Sequence, residues 1–292
     1  MEILINNPLQ SLTFALMIFA LLSLWIHKNS YLWGTLFGTS YLLGSIAGIL
    51  QLNSLFAIVL LLGSYLFLTT EDPKGWLRLI PTSIITLISF GFIFHRIPGF
   101  TNWLLLREVQ VSPNSYPHTI FWNYDKALLG LFPLAFTIPL LKTKASIKKI
   151  LPKTLLLSAI SIVVLLGLSL FFRFISFDPK WPPYFLYWVV ANFFFVCVTE
   201  EAFFRGFLQK EITEALPHRH SAWFAIFFVS LLFALAHLPF LQDFRYLILV
   251  FVASFLYGTT YHLTEAIESS IFAHFLVNLL HILIFTYPTM KP

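Results

Sequence analysis

The sequence predicts an all-α, polytopic membrane protein built as a bundle of about ten transmembrane helices. Three observations carry this reading. Of 292 residues, 58% are hydrophobic and 18% aromatic. Only 11% are charged, against about 25% in soluble domains. The apolar residues come in continuous runs of about 15 to 20, the length that a hydrocarbon core of about 30 Å demands, and they do not alternate as barrel strands do.

In chain order, the first group of runs is 11–26, 31–50, 55–68 and 79–94, which makes residues 1–94 a set of N-terminal transmembrane helices. Glu2 precedes the first run, and no basic start or small-residue cleavage site surrounds it. The chain is therefore expected to begin near Met1 and to keep that run as a span. Residues 95–126 break the pattern with PGFTNWLLLREVQVSPNSYPHTIFWNYDK and are expected to form a structured extramembrane loop. Asp125 at its end suits the N-terminus of the helix that follows, with substrate contact as the other reading. Residues 127–183 hold linking helices at 127–141 and 154–172, the first short enough to be partly interfacial. The last domain, 184–287, holds runs at 184–208, 222–238, 246–262 and 267–285. No internal repeat or low-complexity tract occurs.

Loop charges set the expected orientation. KTKASIKKILPK, residues 142–153, carries five lysines and no acid, and is placed on the cytoplasmic side. Alternation then puts Lys28, Lys74, Arg78, Lys210 and Arg219 on that side too, and Arg96, Arg107, Lys126, Arg173, Lys180, Arg245 and Lys291 on the other, with both termini outside. The net charge of +5 reads as membrane topology. No basic stripe with interleaved aromatics lies outside the runs, so no nucleic-acid partner is expected. The single cysteine, Cys197, excludes an internal disulfide framework and reads as a small buried hydrophobe.

One stretch conflicts with its surroundings. After YFLYWVVANFFFVCV comes TEEAFFRG, residues 199–206, with two carboxylates and a guanidinium. Ionisable groups inside a membrane helix are costly and normally face the protein interior. Glu201 and Arg205 stand four apart and pair on one helix face. Glu200 is turned about 100° away and needs a partner from another helix. His237, one turn after Phe233, and His274, one turn before Asn278, are polar residues isolated in later apolar runs, with His281 on nearly the same face as His274. Any one of these histidines alone reads as a structural hydrogen-bonder. A carboxylate, two imidazoles and a carboxamide between residues 200 and 278 fit a shared polar chamber better. Phe233 reads as packing.

The segments Glu200-Glu201-x-x-x-Arg205, Phe233-x-x-x-His237 and His274-x-x-x-Asn278, in that order on separate apolar runs, resemble the three motifs of the CPBP intramembrane proteases, also called Abi or CAAX-type and including type II CAAX prenyl endopeptidase-like proteins. The likeness covers about residues 184–285. It implies a glutamic peptidase in which Glu200, helped by His237, activates water, while His274 and Asn278 stabilise the oxyanion. Glu201 and Arg205 would be structural support. The resemblance further implies a membrane-embedded or lipid-modified peptide or protein as substrate, with the peptide bond near a membrane-associated C-terminal segment, and a bacterial inner membrane as location. No cofactor is favoured. The alternative is zinc held by Glu200, His237 and His274, although no His-Glu-x-x-His pair is present.

Other classes fit less well. A thiolate at Cys197 is disfavoured in apolar surroundings. Ser254, Ser269 and Ser270 carry no nucleophile signature, and no G-x-S-x-G, P-loop or dinucleotide fingerprint occurs. A proton-coupled transporter with a Glu200, His237 and His274 relay is the rival from another class, as is a binding protein that keeps the fold without cleaving.

Overall fold

The computed structural model describes residues 7–27, 31–216, 218–240 and 243–291. Met1, Glu2 and Lys28, which enter the expectations for the N-terminus and the charge balance, lie outside the described residues. The elements in order are α1 (Pro8–His27), α2 (Leu32–Ile46), α3 (Ser54–Thr70), α4 (Trp76–Ile93), β1 (Trp103–Val109), β2 (His118–Trp122), α5 (Tyr124–Phe136), α6 (Lys144–Phe171), α7 (Phe185–Ala215), α8 (Ser221–Ala236), α9 (Phe244–Thr264) and α10 (Ile267–Ile284).

Every apolar run has become a helix, but the expectation of about ten spans is corrected. Among the described residues, six helices are long and apolar enough to cross a membrane: α1, α4, α6, α7, α9 and α10. The others are shorter, with 15 residues in α2, 17 in α3, 13 in α5 and 16 in α8. A full crossing takes about 20 residues. α5 is the clearest case. Its buried residues form an almost unbroken run from Ala127 to Leu134, so it is apolar because it is a core helix packed against α1, α3, α4 and α7.

α6 faces inward mostly with small polar residues and outward with large apolar ones, the reverse of a helix in a soluble bundle. Along α6, Thr154, Ser158 and Ser161 are buried while Leu155, Leu156, Ile160 and Val163 are exposed. Thr154 Oγ1 meets Ser269 Oγ of α10 at 2.7 Å. At the start of α6, the Thr143 hydroxyl accepts the Ser146 N–H at 3.1 Å and caps the helix.

Residues 95–126 depart from the helical pattern with an antiparallel hairpin, Trp103 opposite Trp122 and Val109 opposite His118. Two register shifts interrupt the pairing, and Glu108 at the second has φ 49°. Asp125, in the first turn of α5, accepts the Lys126 N–H at 2.8 Å and holds Nδ1 of His95 at 2.6 Å, which ties the end of α4 to the start of α5.

Helix ends gather at two faces. On one, the Arg78 guanidinium of α4 grips Glu211 of α7 with Nε at 2.8 Å and Nη2 at 2.7 Å, and Lys153 donates to the Leu263 carbonyl at 2.7 Å. On the other, an extended C-terminal segment runs between two neighbours. Thr286 N–H donates to Ser176 O at 2.9 Å and Met290 N–H to Phe174 O at 2.8 Å, while Tyr116 N–H donates to Thr289 O at 3.0 Å. The lysine-rich stretch lies at the first face, and the hairpin and this segment at the second.

Candidate active site

α7 carries the glutamates on irregular backbone. One of its α-helical turns, Val198–Glu201, is flanked by π-helical stretches Phe193–Cys197 and Ala202–Gln209. Such wide turns are rare and recur at functional sites. Despite them, Glu201 and Arg205 meet as expected, with Nε 3.2 Å from Oε2 and both side chains fully buried. Arg205 Nη2 donates to Ser254 O at 3.1 Å and to Ser254 Oγ at 3.0 Å, and the guanidinium lies 4.8 Å from the Phe233 ring centre. Phe233 is therefore more than filler: its ring also packs against His237 at 4.7 Å.

Glu201 has a further partner that the spacing does not reveal. Its Oε1 lies 2.8 Å from Nδ1 of His274, and its Oε2 accepts from the Ser270 hydroxyl. A carboxylate at Nδ1 fixes the proton there, which leaves Nε2 as the other working nitrogen of His274. The ring stacks on Tyr257 at 4.6 Å, which holds its plane. His237 sits at the C-terminal cap of α8, with Nδ1 2.8 Å from the Phe233 carbonyl. A backbone carbonyl only accepts, so the Nδ1 proton is fixed there as well.

Glu200, His237, His274 and Asn278 line one cavity of about 290 Å3. Glu200 makes no hydrogen bond or ion pair among the described residues, consistent with its lack of a partner within its own helix. Asn278 Nδ2 donates to Asn192 Oδ1 at 3.2 Å, and Cys197 Sγ donates to the same oxygen at 3.4 Å. Cys197 is buried, as expected. Asn192, Tyr246 and His281 also line the cavity and stand outside the expected set. The signal for Asn192 was available, since it too is a carboxamide isolated in an apolar run. Over the cavity, Tyr287, Pro288 and Thr289 of the C-terminal segment form a wall, pinned by Trp188 Nε1 donating to Tyr287 Oη at 2.9 Å. Burial pushes the Tyr287 phenol above its ordinary value, so it stays protonated.

A zinc ion fits this donor set poorly. Among the described residues no three His, Cys, Asp or Glu side chains come together as a metal-binding group.

The comparisons with known proteins bear on this same region. Residues 182–280 match the family of Rce1-like type II CAAX prenyl endopeptidases. This Rce1-like segment covers about a third of the chain and contains all of Glu200, Glu201, Arg205, Phe233, His237, His274 and Asn278. It agrees with the CAAX-type resemblance of the three motifs and joins a membrane-protease family to a chain with six candidate spans. No curated protein and no solved structure matches the chain.

Proposed function

We propose that the chain is a multi-pass intramembrane endopeptidase that hydrolyses a peptide bond near a membrane-associated C-terminal segment, without a metal. Glu200 is the base. Its carboxylate lines the cavity with no hydrogen-bond or ion-pair partner among the described residues, which leaves its oxygens to take a proton from water. His237, with its proton held on Nδ1 by the Phe233 carbonyl, presents Nε2 to share the attacking water. The oxyanion is received by Asn278 and by His274. Asn278 is oriented by its bond to Asn192, and His274 donates from Nε2 when the ring carries both protons, with Glu201 as counter-charge. Arg205 and Glu201 support the site beneath. The substrate is a membrane-embedded or lipid-modified peptide, and the location is the inner membrane of a bacterium.

The observation that carries the reading is the convergence of Glu200, His237, His274 and Asn278 on one cavity within the segment that matches a membrane-protease family. It is tested with a membrane-tethered reporter peptide cleaved by purified protein in lipid nanodiscs. Glu200→Gln lowers turnover by at least about a hundredfold, the usual weight of general acid-base catalysis. Wild-type turnover survives exhaustive chelation. A Glu200→Gln protein of full activity refutes the mechanism, and activity lost to chelator and restored by zinc alone refutes its metal-free form. Proton flux into liposomes that depends on Glu200, without cleavage, favours the transporter.

A further inference from the structure

The first stretch of α7, Phe185–Asn192, is regular α-helix, and Trp188 and Asn192 stand one turn apart on it. Asn192 lines the catalytic cavity, and so does Tyr287, whose Oη accepts from Trp188 Nε1 at 2.9 Å. An indole nitrogen only donates, so Tyr287 spends a lone pair on Trp188 and keeps its own proton for another partner. Burial raises the phenol above its ordinary value, and the proton stays on. No acceptor for it occurs among the described residues. The group is held in place: Tyr287 N–H donates to Ser112 Oγ at 2.9 Å, and its ring packs against those of His118 and His281, each centre 5.0 Å away.

Asn192 repeats the pattern one turn along. Its Oδ1 accepts from Asn278 Nδ2 at 3.2 Å and from Cys197 Sγ at 3.4 Å. Two donors converge on that atom, which identifies it as the oxygen and leaves Nδ2 with no acceptor among the described residues. Both side chains are partly buried, both have committed their acceptor to the protein, and both border the cavity that holds Glu200, His237, His274 and Asn278.

The spacing identifies what such donors receive. Positions four apart on a helix are separated by about 6 Å along its axis. In an extended peptide, alternate residues turn their carbonyls to the same edge, about 6.7 Å apart. We propose that Asn192, and Tyr287 placed by Trp188, bind two main-chain carbonyls, at residues i and i+2, of a peptide lying extended along α7. That the ligand is a peptide rests on the protease reading, whereas the paired donors and their spacing do not. Recognition through carbonyls is indifferent to side chains, so it fixes the register of the bound chain rather than its sequence. Neither residue belongs to the three motifs, and Tyr287 lies beyond the matched residues 182–280.

The test reads binding to Glu200→Gln protein in lipid nanodiscs. The ligand is the membrane-tethered reporter peptide, made as a series in which sulfur replaces one main-chain carbonyl oxygen at a time, because a thioamide keeps its N–H and accepts hydrogen bonds poorly. Two positions separated by one residue are expected to bind about fivefold more weakly, the weight of one net hydrogen bond, and the others, the scissile carbonyl aside, to bind like the parent. Tyr287→Phe is expected to erase the difference at one of the two positions. Asn192→Asp, which keeps the oxygen that holds Asn278, is expected to erase it at the other. Each comparison sets two peptides against the same protein, so a loss of stability in a variant cancels. Sensitivity at no position, or spread evenly over all, overturns the proposal, because the donors are then spent on water. So do sensitive positions that neither variant erases, and so does failure to bind the parent peptide. Wild-type protein that shows both sensitive positions yet cleaves no reporter breaks the protease reading alone. Cleavage without them breaks only this pair of donors.

Discussion

Glu201 is shared among Nδ1 of His274, the Ser270 hydroxyl and the Arg205 guanidinium, all buried, whereas its neighbour Glu200 faces a cavity with no such bond. The same amide substitution therefore has opposite signatures at the two positions. Glu201→Gln strips the counter-charge from a fully buried arginine whose Nη1 already lacks a partner, and a lone buried charge costs about 3 to 5 kcal/mol. Glu200→Gln removes a charge that no cation balances, so thermal unfolding in detergent shifts little even where turnover is lost. Comparable loss of stability in both variants means that the two side chains do not play the separate roles assigned to them. Asn192 extends this logic, since its carboxamide oxygen is what orients Asn278. Asn192→Leu is expected to lower turnover of the reporter, by less than the roughly hundredfold or more that loss of a whole oxyanion donor costs, with stability nearly intact.

At the level of elements, α7 lies so close to the start of the α5–α6 connection that Gly206 has no room for a side chain. A Cβ there falls 2.1 Å from Cδ1 and 2.7 Å from Cγ1 of Ile138, itself fully buried. Gly206→Ala overpacks this contact and is expected to cost about 1 to 3 kcal/mol in thermal unfolding; an unchanged midpoint means that Ile138 repacks freely. The hairpin brings a pH dependence. His118, on β2, packs its ring 5.0 Å from that of Tyr287, and burial, reinforced by nearby His281, lowers its pKa to about 4. Above about pH 6.5 the ring is neutral whether the chain is folded or not. Between there and pH 4 only the unfolded chain takes up the proton, so stability falls as pH falls, by up to about 3 kcal/mol, and His118→Phe flattens the slope. The sequence could be read for much of this and not for the rest, for physical reasons. Polar residues stranded in apolar runs were legible at Glu200, His237, His274 and Asn278, because lipid leaves them nowhere else to go. The four-residue step from Glu201 to Arg205 held across π-helical backbone, but the bond from Glu201 to His274 joins different helices and has no local period. Hydropathy could not tell α5, apolar through burial in protein, from a helix apolar through contact with lipid. The hairpin was hidden by Leu104-Leu105-Leu106, whose bulged register breaks the alternation that marks a strand.

For the molecule as a whole, the helix ends settle which groups share a face, and so turn the charge rule into a statement about access. Lys74, Arg78, the lysines from Lys142 to Lys153, Lys210 and Arg219 belong to one end of the bundle, and the hairpin, Arg173, Asp243 and the C-terminal segment to the other. The cavity draws on the last turns of α6 through Leu165, Leu166 and Ser169, the first half of α7, the end of α8, the start of α9 and the second half of α10. Every one of these lies toward the end away from the lysines. If cytoplasmic loops hold the excess of lysine, the cavity opens to the opposite side. In cells whose Cys197 is replaced by serine, a membrane-impermeant maleimide is expected to label Asn114→Cys and Thr289→Cys without permeabilisation, and Lys142→Cys only after it. Asn114 and Lys142 are both exposed, so accessibility within the protein does not limit either reaction. Labelling of Lys142→Cys in intact cells, with Asn114→Cys protected, inverts the orientation and gives the cavity to the cytoplasm. Labelling of Asn114→Cys but never of Thr289→Cys keeps the orientation and closes a route past the C-terminal segment, which leaves lateral entry between helices as the way in for a membrane-borne peptide.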